Sequence, residues 1–291
     1  MILIADGGST KTAWTLLDDK KNTVGEFRTE GYNPYFWSTE QIAASIKEQL
    51  LPQLNGSEIK NIFFYGAGCS TPEKNEIVHQ GIHANFPNTQ RLITHDLLAA
   101  ARALLKREKG FAAILGTGAN TCLYDGYDII HNIDSLGYLM GDEGSGSYIG
   151  KKIVRDYMRG YFPETLAAAF KAKYGYQNNE EIFHDIYTKP FQNRTLASFC
   201  NFAADHSSYE YIHMLVRDSF EDFFKNLVSH YPDYRSYTFN CIGSVGYSFR
   251  EILTDISENK YQMKVGNMLR SPINDLVKFH IEHDVTLPAK I

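Results

Sequence analysis

Cysteine is scarce in this chain of 291 residues, and its four cysteines lie far apart. Cys69, Cys122, Cys200 and Cys241 form no C-x-x-C pair and no cysteine–histidine spacing of the kind found in zinc sites. Unpaired thiols scattered in this way are typical of proteins from a reducing compartment. The sequence therefore predicts neither a disulfide framework nor a cysteine-bound metal, and it favours the cytoplasm.

A surplus of positive charge and a long apolar run are also missing. Lysine and arginine number 29 against 34 aspartates and glutamates, so the formal net charge is -5. Such a chain lacks the basic surface expected of a nucleic-acid-binding protein. One of the longest near-apolar runs, residues 97–105, is too short for a membrane helix and contains Arg102. The first residues show no pattern of a secretory signal. From the charge balance and the apolar runs together, neither nucleic acid nor a membrane is expected as a partner.

The remaining composition is that of a globular protein. Hydrophobic residues make up 43% and charged residues 22% of the chain, and the length suggests two domains. The 19 tyrosines and 18 phenylalanines are expected mainly in the core.

Two parts of the chain begin with the same pattern of buried strand, glycine-rich turn and returning strand. In the first, strands at 2–5 and 13–17 flank the turn DGGSTKT; in the second, strands at 111–115 and 121–124 flank GTGAN. An offset of 110 residues places Gly118 on Gly8. The pattern predicts two related αβ lobes that divide near the charged run 106–110, although two unrelated strand turns would look similar.

The glycine-rich turns have the chemistry of an anion site. Backbone amides and short hydroxyl side chains that point to one place can bind phosphate oxygens, and Asp6 could organise a hydrated Mg²⁺ beside them. No Walker A pattern is present. A third small-residue segment, GSVG at 243–246, follows a predicted strand and would let a flat ring approach the backbone. Each segment alone is also compatible with an ordinary turn.

Five segments together resemble the BadF/BadG/BcrA/BcrD ATPase family: ADGGSTKTAWTLLD, ILGTGAN, GYLMGDEGSGSYIG, CIGSVGYSF and RSPINDLV. Within that family the chain is most similar to the N-acetylglucosamine kinases, in the superfamily of sugar kinases, actin and heat-shock ATPases. The resemblance implies an α/β fold of two ribonuclease-H-like (actin-like ATPase) lobes with a nucleotide cleft between them. The expected lobes are residues 1–108 and 109–291, with a helical insertion at about 147–231 and a final helix that packs back toward the first lobe.

The resemblance also implies a function. The expected enzyme uses ATP and Mg²⁺ to phosphorylate the 6-hydroxyl of an N-acetylated amino sugar, with N-acetylglucosamine as the first choice and N-acetylmuramic acid or glucosamine as alternatives. Homodimers are common in the family. Two other functions are less favoured: an ATPase that activates a dehydratase, which needs closely spaced cysteines for its iron–sulfur cluster, and a sugar sensor without catalysis, which would not need to keep Asp96 or Asp142.

Site residues carry over by position. The ATP and phosphate contacts fall on Asp6, Gly8, Ser9, Thr10, Gly116, Thr117, Gly118, Gly243 and Ser244; the sugar contacts fall on Asn33, Asn120, Gly137 and Asp142. Asp96 is the implied general base, and Asp6 would hold Mg²⁺ through water. The structural alternative for Asp96 is a helix N-cap, and for Asp142 with Glu143 it is a capping pair before the next helix.

Overall fold

The structure is a computed structural model that describes residues 1–287. Within this range ten strands form two five-stranded sheets. The first sheet contains β1 Ile2–Gly7, β2 Lys11–Leu17, β3 Thr23–Glu30, β4 Asn61–Gly66 and β5 Gln90–His95. The second contains β6 Gly110–Leu115, β7 Ala119–Tyr124, β8 Ile129–Asn132, β9 Phe239–Ile242 and β10 Val265–Leu269.

Helices connect the strands. They are α1 Thr39–Ser45, α2 Pro72–His83, α3 Asp96–Leu105, α4 Gly137–Met140, α5 Gly146–Met158, α6 Glu164–Tyr174, α7 Asn179–Tyr187, α8 Gln192–Asp205, α9 Glu210–Asn226, α10 Ser244–Ser248, α11 Arg250–Asp255 and α12 Ile273–Glu282. The capping box of Ser38 and Gln41 begins α1, as Ser38 predicts. The sequence places Ser271 as the cap of the last helix; the structure instead begins α12 after Pro272, one residue later.

The two sheets share one strand order. The first runs β3-β2-β1-β4-β5 and the second, read the same way, β8-β7-β6-β9-β10. β1 pairs with β4 in parallel, and β6 pairs with β9 in parallel. The first glycine-rich turn lies between the end of β1 at residue 7 and the start of β2 at residue 11. The second lies between the end of β6 at residue 115 and the start of β7 at residue 119, so the two turns are offset by 108 residues. The offset of 110 predicted from the glycines is therefore wrong by two residues, although the predicted repeat is real.

The chain divides into two compact units. Unit 1 comprises Met1–Lys109, Tyr124–Ile129 and the segment that begins at Ser271; unit 2 comprises Gly110–Leu123 and Ile130–Arg270. In unit 1, helix α12 packs on α3, β1 and β2. The boundary between residues 108 and 109 stays a prediction, since compactness and independent folding are different criteria.

Each unit has its own apolar core. In unit 1, Ile42 and Ile46 of the first helical segment are fully buried against strands β1, β2 and β4. In unit 2, the predicted helical insertion supplies α5 to α9, and its phenylalanines pack on β6 and β9. Most of the aromatic content is thus structural. Over residues 1–287, no helix has the length and apolar character required to cross a membrane.

Candidate active site

Three loops of unit 1 meet at the end of strand β1. Gly31 donates a backbone hydrogen bond to Thr10 over 3.3 Å, and a Cβ at Gly31 would lie 2.3 Å from the carbonyl oxygen of Gly8. Ala67 donates from its amide to the carbonyl of Gly7 over 2.6 Å. Only a residue without a side chain fits at Gly31. The backbone hydrogen bonds from Gly31 and Ala67 hold the predicted phosphate turn from two sides.

Asn33 joins these loops through its side chain. It is 8% exposed, and its amide nitrogen donates to Ser9 Oγ over 3.4 Å. Its side-chain oxygen accepts from the backbone amide of Tyr35 over 3.0 Å. A Cβ on Gly68 would come within 2.3 Å of that same oxygen. The structure therefore brings together two residues that the sequence assigns to different ligands, Ser9 for phosphate and Asn33 for sugar.

Asp6 and Asp96 form the acidic part of this loop cluster. Asp6 ends β1, and Asp96 begins α3 directly after β5. The pKa of Asp6 is raised to about 7, mainly by burial and then by the negative charge of Asp96, while Lys11 opposes the shift. A raised pKa of this origin is typical of functional carboxylates.

Asp96 does not cap the helix that it begins. The N-cap is His95, whose Nδ1 accepts a hydrogen bond from the Leu98 amide over 3.2 Å. The N-cap predicted for Asp96 is therefore wrong by one residue, because histidine seldom takes this position and aspartate often does. With the cap supplied by its neighbour, the structural alternative for Asp96 fails.

Three loops of unit 2 meet in a comparable way. Gly116 donates to the carbonyl of Gly118 over 3.0 Å and closes the second turn. Gly146 donates to the carbonyl of Gly116 over 2.8 Å, which ties the start of α5 to this turn. Gly243 lies against the same turn: its φ is +127°, and a Cβ there would lie 2.3 Å from the Leu115 carbonyl oxygen.

Gly243→Ala is expected to destabilise unit 2 strongly. The substitution adds a clash with the backbone of Leu115 to the strain of a positive φ. Gly175→Ala is the matched control, because φ is +74° there and nothing lies within 4 Å of the added Cβ. Urea unfolding should show a loss of about 1 kcal/mol for Gly175→Ala and roughly 3 kcal/mol or more for Gly243→Ala. Equal losses would contradict the close approach.

Asp142 lies under the second turn. It is 7% exposed, and its Oδ1 accepts from the Ala119 amide over 3.1 Å. A Cβ on Gly118 would be 3.0 Å from Oδ2. Burial raises the pKa of Asp142 to about 6; hydrogen bonds from Ala119 and Ser135 lower it, and Glu143 raises it. A carboxylate at this position could accept a further hydrogen bond from a ligand hydroxyl.

Asp142 and Glu143 are not a capping pair. Helix α5 begins at Gly146, and Ser145 is its N-cap, accepting from the Tyr148 amide over 3.2 Å. Ser145 and Ser147 also lie 3.0 Å apart, Oγ to Oγ. Neither serine is among the predicted site residues, although a serine before a helical pattern is a common N-cap signal.

The other predicted residues of unit 2 are less closely connected. The side-chain oxygen of Asn120 accepts from the Thr121 amide and from Asn132 Nδ2, both over 2.9 Å. Gly137 has a φ of +69° and open space beside it. Ser244 is exposed at the start of α10. Asn132 and Gly31 were missed by sequence reasoning, since their roles depend on contacts between distant loops.

The unit 1 loop cluster fits a metal ion that keeps most of its water ligands. Among the described residues, no three histidine, cysteine, aspartate or glutamate side chains are arranged as a metal site. Mg²⁺ usually keeps several waters and needs only one or two carboxylates, so Asp6 fits a water-mediated role.

Comparison with known proteins gives the family. No family model matches the chain, and no curated protein matches it. Among solved structures, a candidate N-acetylglucosamine kinase from Porphyromonas gingivalis is 38% identical, with a TM-score of 0.91, over 98% of this chain and 100% of that one. A second candidate N-acetylglucosamine kinase, from Chromobacterium violaceum, is 16% identical with a TM-score of 0.72, over 96% and 98%.

A more distant structure shares the fold. It is a ROK family glucokinase from Streptomyces griseus in complex with glucose and AMPPNP, 12% identical, with a TM-score of 0.57 over 95% of this chain and 97% of that one. The predicted architecture of two actin-like ATPase lobes is confirmed by these neighbours and by the two sheets. The 38% identity along the whole of the Porphyromonas protein decides the family. The chain belongs to the N-acetylglucosamine kinase-like group of the BadF/BadG/BcrA/BcrD ATPase family.

Proposed function

We propose that this protein is an ATP-dependent kinase that phosphorylates the 6-hydroxyl of an N-acetylated amino sugar, with N-acetylglucosamine as the first choice. The observation that carries the proposal is the unit 1 loop cluster, where the charge of Asp96 acts on the buried Asp6 and Ser9 is hydrogen-bonded to Asn33. The kinase names of related structures support it. N-acetylmuramic acid and glucosamine remain the alternative substrates.

Asp96 would act as the general base. It accepts the proton of the sugar hydroxyl as that oxygen attacks the γ-phosphorus of ATP, while the bond to the leaving ADP oxygen breaks. Phosphoryl transfer depends mainly on in-line positioning and charge neutralisation. The amides and hydroxyls of Gly8, Ser9 and Thr10 would bind phosphate oxygens, and Asp6 would hold hydrated Mg²⁺, which neutralises phosphate charge.

The remaining residues would bind the two substrates. Gly116, Thr117 and Gly118 would contact phosphate, and Gly243 and Ser244 would contact the adenosine. Asn33, Asn120, Gly137 and Asp142 would contact the sugar, because amides, carboxylates and backbone groups suit hydroxyl and acetamido partners. A cytoplasmic location and a homodimer stay predictions.

A dehydratase activator is disfavoured by one observation. All four cysteines are buried, and the pKa of Cys69 is raised to about 12, mainly by burial and then by Asp96. Thiols that resist ionisation make poor iron ligands.

A coupled ADP-release assay across a panel of sugars tests the proposed function. We expect N-acetylglucosamine to raise ATP turnover by at least about 100-fold over the sugar-free rate, since water is a poorly positioned acceptor. Glucose, which lacks the acetamido group, is the matched control and should be used less well. Turnover that no amino sugar stimulates would overturn the proposal.

A further inference from the structure

Three buried polar side chains lie behind the unit 1 site, and the proposed mechanism does not use them. Arg102 lies on α3, Tyr65 on β4 and His280 on the C-terminal helix α12; they are 8%, 0% and 6% exposed. Arg102 Nη1 donates to Tyr65 Oη over 2.6 Å, and Tyr65 Oη lies 2.9 Å from His280 Nε2. We call this series the Arg–Tyr–His chain.

The direction of its hydrogen bonds follows from chemistry. A guanidinium can only donate, so Tyr65 Oη accepts from Arg102 and keeps its own proton available for His280 Nε2, which accepts it in the tautomer that carries its proton on Nδ1. That tautomer is neutral, which agrees with burial lowering the pKa of His280 to about 3, helped by the charges of Arg102 and Lys21. Within residues 1–287, no carboxylate pairs with Arg102; the rings of Tyr65 and Phe279 lie 5.6 and 5.3 Å from its guanidinium carbon.

The chain connects the C-terminal helix to the elements that carry the candidate base. Tyr65 pairs with Asp6 across β1 and β4, and with Thr94 across β4 and β5. Arg102 lies fewer than two turns after Asp96 on the same helix. The ring of His280 packs against Phe63 in a tilted arrangement, with centroids 4.3 Å apart. The three side chains therefore link α12 to α3 and to the strand that pairs with β1.

The cap of α3 depends on the same region. His95 can accept from the Leu98 amide only while Nδ1 is unprotonated. Burial lowers the pKa of His95; the charge of Asp128 opposes this shift, and the positive charge of Arg102 makes a smaller contribution that lowers it. Burial and Arg102 thus both favour the unprotonated Nδ1 that caps α3 next to Asp96.

We propose that Arg102, Tyr65 and His280 are positioning residues, which hold the start of α3 and so place Asp96 for proton transfer under the control of the C-terminal helix. The inference rests on the proposed kinase function. It adds a role for α12, which carries none of the predicted site residues.

Tyr65→Phe is the first test, because it removes only the hydroxyl that the other two residues share. We expect kcat to fall roughly 10- to 100-fold, the loss that a small misplacement of a reacting group produces. The Kd values for ATP and sugar should change less than about threefold, since binding groups stay in place. Thr29→Val is the matched control: it removes a buried hydrogen bond from Trp14 Nε1, 2.9 Å long, in the same unit. Its kcat should stay at the wild-type value.

A pair of substitutions at His280 covers the case in which Tyr65→Phe does not fold. His280→Gln keeps an acceptor for the tyrosine hydroxyl and should restore most of kcat, whereas His280→Leu removes the acceptor and should lower kcat as Tyr65→Phe does. Hydrogen exchange of the Leu98 amide gives a readout that does not need activity. It should accelerate at least about tenfold in Tyr65→Phe and His280→Leu but not in Thr29→Val.

The outcomes separate this inference from the proposed function. Wild-type protein without sugar-stimulated turnover would remove the function, and the exchange of Leu98 would then decide whether the chain holds α3. An active wild type, with unchanged kcat and Leu98 exchange in Tyr65→Phe and His280→Leu, would overturn the positioning role. Equal loss of kcat in His280→Gln and His280→Leu would also contradict it, because the hydrogen bond would not matter.

Discussion

Asp96→Asn is expected to lower kcat by a factor of about 100 to 10,000, the usual contribution of a positioned general base. Asparagine keeps the shape of the side chain but cannot accept the proton of the sugar hydroxyl. The Kd for an ATP analogue should stay near the wild-type value, because no phosphate contact is assigned to Asp96. Single-turnover kinetics with saturating sugar would measure the loss in the chemical step.

An exposed aspartate supplies the control for this experiment. Asp19, whose side chain is 72% exposed, pairs with the N-terminal amine and with Lys60 at the surface, so Asp19→Asn should leave kcat unchanged. Removal of the Asp96 charge should also lower the pKa of Asp6, since Asp96 contributes to raising it. A variant Asp96→Asn that retains more than about a tenth of wild-type kcat would remove Asp96 as the base.

Asp142→Asn is expected to weaken sugar binding while it stabilises the protein at neutral pH. A buried carboxylate that accepts a sugar hydroxyl makes a charge-assisted hydrogen bond, so its loss should raise the sugar Kd by roughly 10- to 100-fold. Isothermal titration calorimetry measures this change. Glu143→Gln is the control: Glu143 is adjacent and accepts from Asn226 over 2.8 Å, and its substitution should leave the sugar Kd unchanged.

The stability change has the opposite sign and depends on pH. The folded-state pKa of Asp142 is raised to about 6 from 3.8, so its ionisation opposes folding, and stability is lost as pH rises between those values. An asparagine side chain at this position cannot ionise. Relative to wild type, the free energy of unfolding of Asp142→Asn should therefore increase by about 2 kcal/mol from pH ~4.5 to pH ~7.5. A difference that stays constant with pH would show that the carboxyl is not perturbed.

Much of the fold follows from local sequence patterns. Alternation, glycine turns and strand lengths predict β1, β2, β4, β6 and β9 to within about two residues, because each strand is an apolar run bounded by a turn signal. The internal repeat is also visible in the sequence. The offset between the two copies is not visible in the sequence. Aligning Gly8 with Gly118 uses only residue type, whereas the ends of β1 and β6 align Gly8 with Gly116.

The candidate site is predictable by residue type but not by contact. Asp6, Asp96 and Asp142 follow from the family resemblance, and the structure adds the burial and charge that perturb Asp6 and Asp142. The approach of Gly31 to the first turn depends on how β3 returns to it, which no local pattern encodes. The bond between Tyr65 and His280 joins residues 215 positions apart, beyond the reach of any periodicity.

The identity of the phosphorylated product tests the central claim most directly. Purified protein is incubated with ATP, Mg²⁺ and N-acetylglucosamine, and the product is analysed by phosphorus–proton correlation NMR. We predict one new phosphomonoester whose phosphorus couples to the two protons on carbon 6 of the sugar. A phosphate on carbon 1, or ATP hydrolysis to free phosphate without a sugar phosphate, would contradict the proposed function.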